Sequence, residues 1–203
     1  MKTVLITAFE PYDRWGTNAS WDALVALTSQ LPERPRVVTR RYPVDFEKTR
    51  AKLAEDLAAN YDYVLHLGQA PGSSRIHLEA VGINVAGHSQ QSPDDFQPLV
   101  VDGPAAYRTA LPLGQWSAKI REAGIPVQVS YHAGTYLCNA ILYLCHHFAA
   151  QQQLNSQAAF IHLPLTPAQT LHERHDVPSL PTSMCVEAIR LILNELESSS
   201  GVV

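Results

Sequence analysis

Short apolar runs alternate along the chain with longer amphipathic stretches. Val4-Leu5-Ile6-Thr7-Ala8-Phe9, closed by Glu10-Pro11, predicts a strand buried on both faces. Arg36–Tyr42 predicts a second strand, ended before Pro43, and Tyr63–Gly68 a third. Helices are predicted between them. One covers Trp21–Ser29, with Asn18 or Ser20 as cap and Leu24, Val25 and Leu27 as its apolar stripe. The other runs from a cap at Asp45 to about Ala59, with Phe46, Leu53 and Leu57 at helical spacing. Ile76, Leu78, Val81, Ile83 and Val85 then form an extended segment. Its alternation slips once at Glu79-Ala80, as at a β-bulge.

Residues 87–112 are rich in Gln, Ser, Pro, Asp and Gly and predict a long ordered loop, either a lid or an interface cover. A helix follows near Gly114–Ala123, then a strand over Val127–Tyr131 and a helix from about Thr135 to Gln152. Ala158–Leu163 is the next strand, stopped by Pro164. Thr182 is expected to cap the last helix, whose apolar face carries Cys185, Ala188, Ile189, Ile192 and Leu196. The tail, Ser198–Val203, is expected to fray. With no repeat and no linker, the pattern predicts one domain over residues 1–203. Strands alternating with helices place it in the α/β class, with a mostly parallel sheet covered on both faces.

Composition narrows the function. A chain of 203 residues with 46% hydrophobic residues can bury a substantial core and is not disordered. A net charge of −4 without a Lys/Arg block argues against nucleic-acid or membrane-surface partners. The apolar runs fall short of the roughly 20 residues a membrane helix needs. Met-Lys-Thr leads straight into a strand without a secretory signal, so the expected location is cytoplasmic. Three cysteines, an odd and sparse set, fit a reducing compartment rather than a disulfide framework. The charged fraction of 17% is low, which fits a small charged surface or a buried subunit interface.

The three cysteines are not equivalent. Cys145 lies within a predicted helix and Cys185 on the apolar face of another, both positions of ordinary core packing. Cys138 follows the turn Ala133-Gly134-Thr135 and falls in the first turn of a long helix. Free N–H groups and the helix dipole there stabilise a thiolate and can receive an oxyanion. Packing is the competing reading. A thiol nucleophile needs a base, and the base an orienting group. Of nine histidines, His146 and His147 read as the solvated face of their helix, and His66 as a core residue. His77 alternates with the apolar positions of its strand, while His88 and His132 lie in or beside loops. His172-Glu173-Arg174-His175 spaces its histidines by three where a zinc-protease helix needs four, so no metal site is expected. His162 ends a buried strand, where side chains of an open sheet face its crevice. Glu79 sits in an apolar run where a carboxylate needs a partner, either a histidine or an arginine such as Arg75. Glu79, Cys138 and His162 form one triad among several that this chemistry allows.

Val129-Ser130-Tyr131-His132-Ala133-Gly134-Thr135-Tyr136-Leu137-Cys138-Asn139 closely resembles the nucleophile signature of the pyroglutamyl peptidase I (pyrrolidone carboxyl peptidase) family. Gly68-Gln69-Ala70 through Ile76-His77-Leu78-Glu79 to Ile83-Asn84 resembles its glutamate signature, and Ala159–Pro164 its histidine strand. Thr7–Tyr12 with Asn18–Trp21, and Asp102–Tyr107 with Leu111-Pro112, also match, in order along the chain. The resemblance implies a three-layer α/β/α sandwich around a mostly parallel, mixed sheet. It implies a cysteine omega-peptidase that hydrolyses the amide bond after an N-terminal pyroglutamyl residue, without metal or cofactor. Cys138 would be the nucleophile, His162 the general base and then acid, and Glu79 the residue orienting His162. Phe9 and Tyr12 would line the lactam pocket, with Gln69 on a loop approaching the substrate. Partners would be N-terminally pyroglutamylated peptides or small amides and, as in many family members, further copies of the chain in a dimer or tetramer.

The chain departs from the family pattern in places. Gln91-Ser92-Pro93-Asp94-Asp95 stands where members usually carry Arg-Ile-Pro-Asp-Asn, which removes a cation. One oxyanion donor is worth about 10²–10³ in rate, so Arg75 or His132 is a candidate substitute. Ala80 replaces a basic residue, His77 a Ser or Thr, and Tyr12 a Phe. Two other functions therefore stand beside the first: a thiol hydrolase of another cyclic or N-acyl amide, and a non-catalytic binding homologue.

Overall fold

The computed structural model describes residues 1–88 and 90–198. Strand β1 (Thr3–Phe9) sends Val4, Ile6 and Ala8 to one face of the sheet and Leu5 and Phe9 to the other. Helix α1 (Ala19–Thr28) follows, capped by the Asn18 side chain, which accepts from the Ser20 N–H at 3.0 Å. Strand β2 (Arg36–Tyr42) pairs parallel with β1. Helix α2 (Phe46–Leu57) starts at its Asp45 cap, as expected, with Oδ1 accepting from the Lys48 N–H at 2.9 Å. Strand β3 is Tyr63–Gln69 and β4 is Ile76–Glu79.

The slip at Glu79-Ala80 is a change of sheet rather than a bulge. The Ala80 N–H donates to the Ser130 carbonyl in the main sheet, and its carbonyl accepts from the Thr109 N–H. The chain therefore leaves the main sheet and continues as β5 (Val81–Ile83). Strand β5 pairs antiparallel with β6 (Ala106–Arg108), which falls inside the stretch expected to be loop. The Asn84 side chain stitches that stretch down, with Nδ2 donating to the Val100 carbonyl at 2.8 Å and Oδ1 accepting from its N–H at 2.9 Å.

Helix α3 (Leu113–Glu122), strand β7 (Val127–Ser130), helix α4 (Leu137–Gln151) and strand β8 (Gln157–Leu163) complete the centre. A short helix α5 (Pro167–Thr170) and the long α6 (Thr182–Ser198) follow. Thr182 is the first residue of α6 and not its cap, because the carbonyl of Pro181 already accepts from Met184 and Cys185. Of the tail expected to fray, Ser198 ends α6, and 199–203 lie outside the described residues.

The six-stranded sheet runs β2-β1-β3-β8-β4-β7 and is mixed. β2, β1, β3 and β8 are mutually parallel, while β4 and β7 run parallel to each other and antiparallel to β8. Helices α1, α3 and α6 cover one face over Val4, Ile6, Leu65, Leu67, Ile161 and Leu163. Helices α2 and α4 cover the other over Leu5, Phe9, Val64 and Phe160. The expected α/β architecture is thus observed. Helix α4 is buried more completely than its sequence suggests. His146 and His147 are only partly exposed and stack against Tyr107 and Tyr143, because β5 and β6 pack on the outer side of the helix.

Candidate active site

Strand pairing brings the three candidate residues together. In the β4/β8 ladder Glu79 stands opposite Phe160 and His77 opposite His162, so all four side chains leave the face covered by α4. Glu79 is 1% exposed, and its Oε1 lies 2.8 Å from Nδ1 of His162. A buried carboxylate is thereby paired with the histidine, and Arg75 is not its partner. With Nδ1 engaged by Glu79, Nε2 is the nitrogen of His162 left for Cys138, whose charge acts on the ring. Burial alone depresses a histidine. Here the Cys138 sulfur and then Glu79 outweigh it and raise His162 from 6.5 to about 10. The charged imidazolium is the favoured form at neutral pH.

Cys138 is the second residue of α4, following Tyr136 at the N-cap and Leu137. The turn before it depends on Gly134, whose φ of +80° is reached without strain by glycine. No side chain caps this turn of α4, so its first N–H groups are not engaged by a capping residue. Asn139, fully buried, fixes the helix start against β5: its Oδ1 accepts from the Ile83 N–H at 2.8 Å, and Nδ2 donates to the carbonyls of Ile83 and Val85. Gly68 on β3 clears space for the sulfur, since a Cβ there would lie 3.2 Å from Cys138 Sγ and 2.7 Å from Phe160 Cε1. The other two thiols are buried, and desolvation pushes both Cys145 and Cys185 up to about 12, which suits the packing role expected of them.

Cys138 lies on a cavity of about 170 Å³ lined by Phe9, Tyr12, Val44, Tyr136 and Leu137, with Gly68 and Gln69. Phe9 and Tyr12 occupy its wall, and Gln69 does so as the last residue of β3 rather than from the loop expected. Burial, then the charge of Cys138, raises the Tyr12 hydroxyl to about 12, so it stays a neutral donor 3.4 Å from the Gln69 carbonyl. Gln69 is buried and its Oε1 is fully used, accepting from the Ala19 N–H and from Nε2 of Gln169, each at 2.7 Å. Its Nε2 is buried without a hydrogen-bond partner. Gln169 has no counterpart in the sequence reading, because its capping box with Thr166 marks a helix start and nothing marks its reach across to β3.

The segment that lacks the expected cation is exposed. Pro93–Asp95 form a 3₁₀ turn, and the Gln91 side chain accepts from the His88 N–H at 2.7 Å. Of the two candidate substitutes, His132 uses Nδ1 to accept from the Gly134 N–H at 2.8 Å, and Arg75 exerts its charge on His77. His172 and His175 are exposed, with Glu173 between them paired to Arg14 at 3.0 Å. No helix among the described residues is long and apolar enough to cross a membrane.

A family model described as pyroglutamyl peptidase matches residues 2–197. The chain belongs to the pyroglutamyl peptidase family. It is 35% identical over 195 residues to the pyrrolidone-carboxylate peptidase of Bacillus subtilis, covering 94% of this chain and 90% of the relative. It is 37% identical over 190 residues to that of Pseudomonas fluorescens, covering 90% and 87%. Among solved structures, the pyrrolidone carboxyl peptidase of Fervidobacterium islandicum superposes with a TM-score of 0.92 at 31% identity, covering 98% of this chain and 99% of that one. The enzyme from Thermococcus litoralis gives 0.88 at 30% identity, covering 98% and 94%. Membership of this peptidase family places the chain among the cysteine peptidases, the hydrolase class expected from its sequence.

Proposed function

We propose that the chain hydrolyses the amide bond after an N-terminal pyroglutamyl residue, with Cys138 as nucleophile, His162 as general base and acid, and Glu79 orienting His162. The observation that carries this reading is the placement of Cys138 on a small apolar cavity while its histidine is held by a buried carboxylate 2.8 Å away. Pyroglutamate is a compact neutral lactam, which suits walls of Phe9, Tyr12 and Val44 better than a charged N-terminal residue would. The Tyr12 hydroxyl, the Gln69 carbonyl and Nε2 of Gln69 are polar groups within reach of a lactam N–H or C=O.

The sulfur of Cys138, its proton on His162, attacks the acyl carbon and forms the tetrahedral intermediate. N–H groups at the start of α4 receive the oxyanion. The carbon–nitrogen bond then breaks as His162 passes its proton to the departing amine, leaving a thioester on Cys138. Water, deprotonated by His162, attacks that thioester and releases the acid. Glu79 keeps Nδ1 protonated throughout, so that Nε2 makes every transfer.

A panel of fluorogenic amides tests the acyl preference. Pyroglutamyl amide should be cleaved with kcat/KM at least about 10²-fold above prolyl amide, which lacks the ring carbonyl. The Tyr12 hydroxyl in the pocket wall favours the second reading, in which another cyclic or N-acyl amide is the substrate, and an N-acetyl amide cleaved faster than the pyroglutamyl one would establish it.

A further inference from the structure

Glu79 lies between two histidines. His77 precedes it by two on β4, so both side chains leave the same face, and His77 is the register partner of His162 across the ladder. Nδ1 of His162 is 2.8 Å from Oε1 of Glu79, and Nδ1 of His77 is 3.8 Å from the same oxygen. Oε2 of Glu79 is buried without a hydrogen-bond partner, so the carboxylate has acceptor capacity to spare. The His77 side chain is 24% exposed against 1% for Glu79, so it exchanges protons with solvent while Glu79 does not.

The second nitrogen of His77 fixes its tautomer. Nε2 lies 3.0 Å from Ser73 Oγ. That hydroxyl donates its one proton to the Arg75 carbonyl at 2.7 Å and accepts from the Arg75 N–H at 3.2 Å. It can therefore only accept from His77, and Nε2 carries the proton. A neutral His77 consequently turns the lone pair of Nδ1 toward the carboxylate, whereas a protonated one turns an N–H⁺ toward it. Repulsion becomes attraction on binding one proton.

We propose that His77 is a proton-operated positioning residue: once protonated, it competes with His162 for Glu79 and weakens the hold of Glu79 on the Cys138–His162 pair. The inference rests on the proposed roles of those three residues. Charged or titratable groups facing His77 are Glu79 and Arg75 on its own segment and His162 from β8, while its partner on β7 is the uncharged Gln128. Burial holds His77 below 6.5, and His162 and Arg75 add to this against the pull of Glu79. His77 is therefore neutral at pH 7 and charges on the acid side. As it does so, His162 loses part of its counter-charge and its Nε2 proton returns to the sulfur of Cys138. The vacated Nε2 of His162 then takes up a second proton from solvent, so two protons, one on His77 and one on His162, switch the site off.

The test compares wild type with His77→Gln and His77→Thr across the acid range. It follows both iodoacetamide alkylation of Cys138 and turnover of a pyroglutamyl amide, with near-ultraviolet circular dichroism monitoring the fold at each pH. Near neutrality all three proteins should agree within about threefold in both readouts. Toward acid, the wild-type rates should approach about a hundredfold loss per pH unit, and the variants about tenfold with the fall beginning at lower pH. Acid limbs of equal slope and position in wild type and in a folded variant would overturn the proposal. Alkylation needs no substrate. An alkylation limb that depends on His77, without turnover, would sustain this inference and count against the pyroglutamyl reading alone.

Discussion

Oε1 of Glu79 lies 2.8 Å from Nδ1 of His162, joining a carboxylate on a strand running one way to an imidazole on a strand running the other. The antiparallel β4/β8 pairing is what places them face to face. Replacing Glu79 by Gln keeps the shape and removes the charge. Glu79→Gln should lower kcat/KM by on the order of 10³. His162, raised in part by Glu79, should also lose its proton at lower pH. Activity falls as pH rises through the upper value of the Cys138–His162 pair, so the alkaline limb of the pH–rate profile should move toward neutrality in this variant.

Gly68 is fixed by its neighbours. An added methyl would meet Phe160 Cε1 at 2.7 Å and Cys138 Sγ at 3.2 Å, and Phe160 is fully buried. Gly68→Ala should cost about 1–3 kcal/mol, seen as a lower unfolding midpoint in urea. It should also slow alkylation of Cys138 at neutral pH, because the sulfur is displaced. Retention of both properties would show that the pocket floor yields.

Buried His66 and half-buried His146 make the fold acid-sensitive independently of catalysis. His66 donates to or accepts from Thr7 Oγ1 at 2.7 Å, and burial together with His146 pushes it down to about 3. Burial pushes His146 down to about 4. Both folded values lie below the unfolded one, so their contribution is complete above about pH 6.5 and is lost as pH falls toward the folded values. Each should remove on the order of 2 kcal/mol by pH 5, measured as a falling urea midpoint. His66→Asn should make the dependence shallower. An equal dependence in the variant would assign the proton uptake elsewhere.

Much of this was legible in residue order. The apolar runs located the strands, Asn18 and Asp45 marked their helices, and Gly134 before Cys138 placed a thiol at a helix start. What was not legible depended on partners distant in sequence. The slip at Glu79-Ala80 looks like a bulge until Ser130 and Thr109 are seen to claim the two sides of Ala80. His146 and His147 have the polarity of a wet helix face, and the β5–β6 pair covers them in part. Gln169 on Gln69 leaves no local pattern, and the two-residue spacing of His77 and Glu79 puts them on one face without showing that His162 shares the carboxylate.

Hydrolysis of a fluorogenic pyroglutamyl amide by wild type and by Cys138→Ser, at equal concentration and neutral pH, tests the central claim most directly. The account predicts steady turnover by wild type and a loss of at least about 10³ in Cys138→Ser, because a serine hydroxyl is a far weaker nucleophile against a base placed for sulfur. Turnover by Cys138→Ser within tenfold of wild type would contradict it, as would a wild type that alkylates at Cys138 yet releases no product.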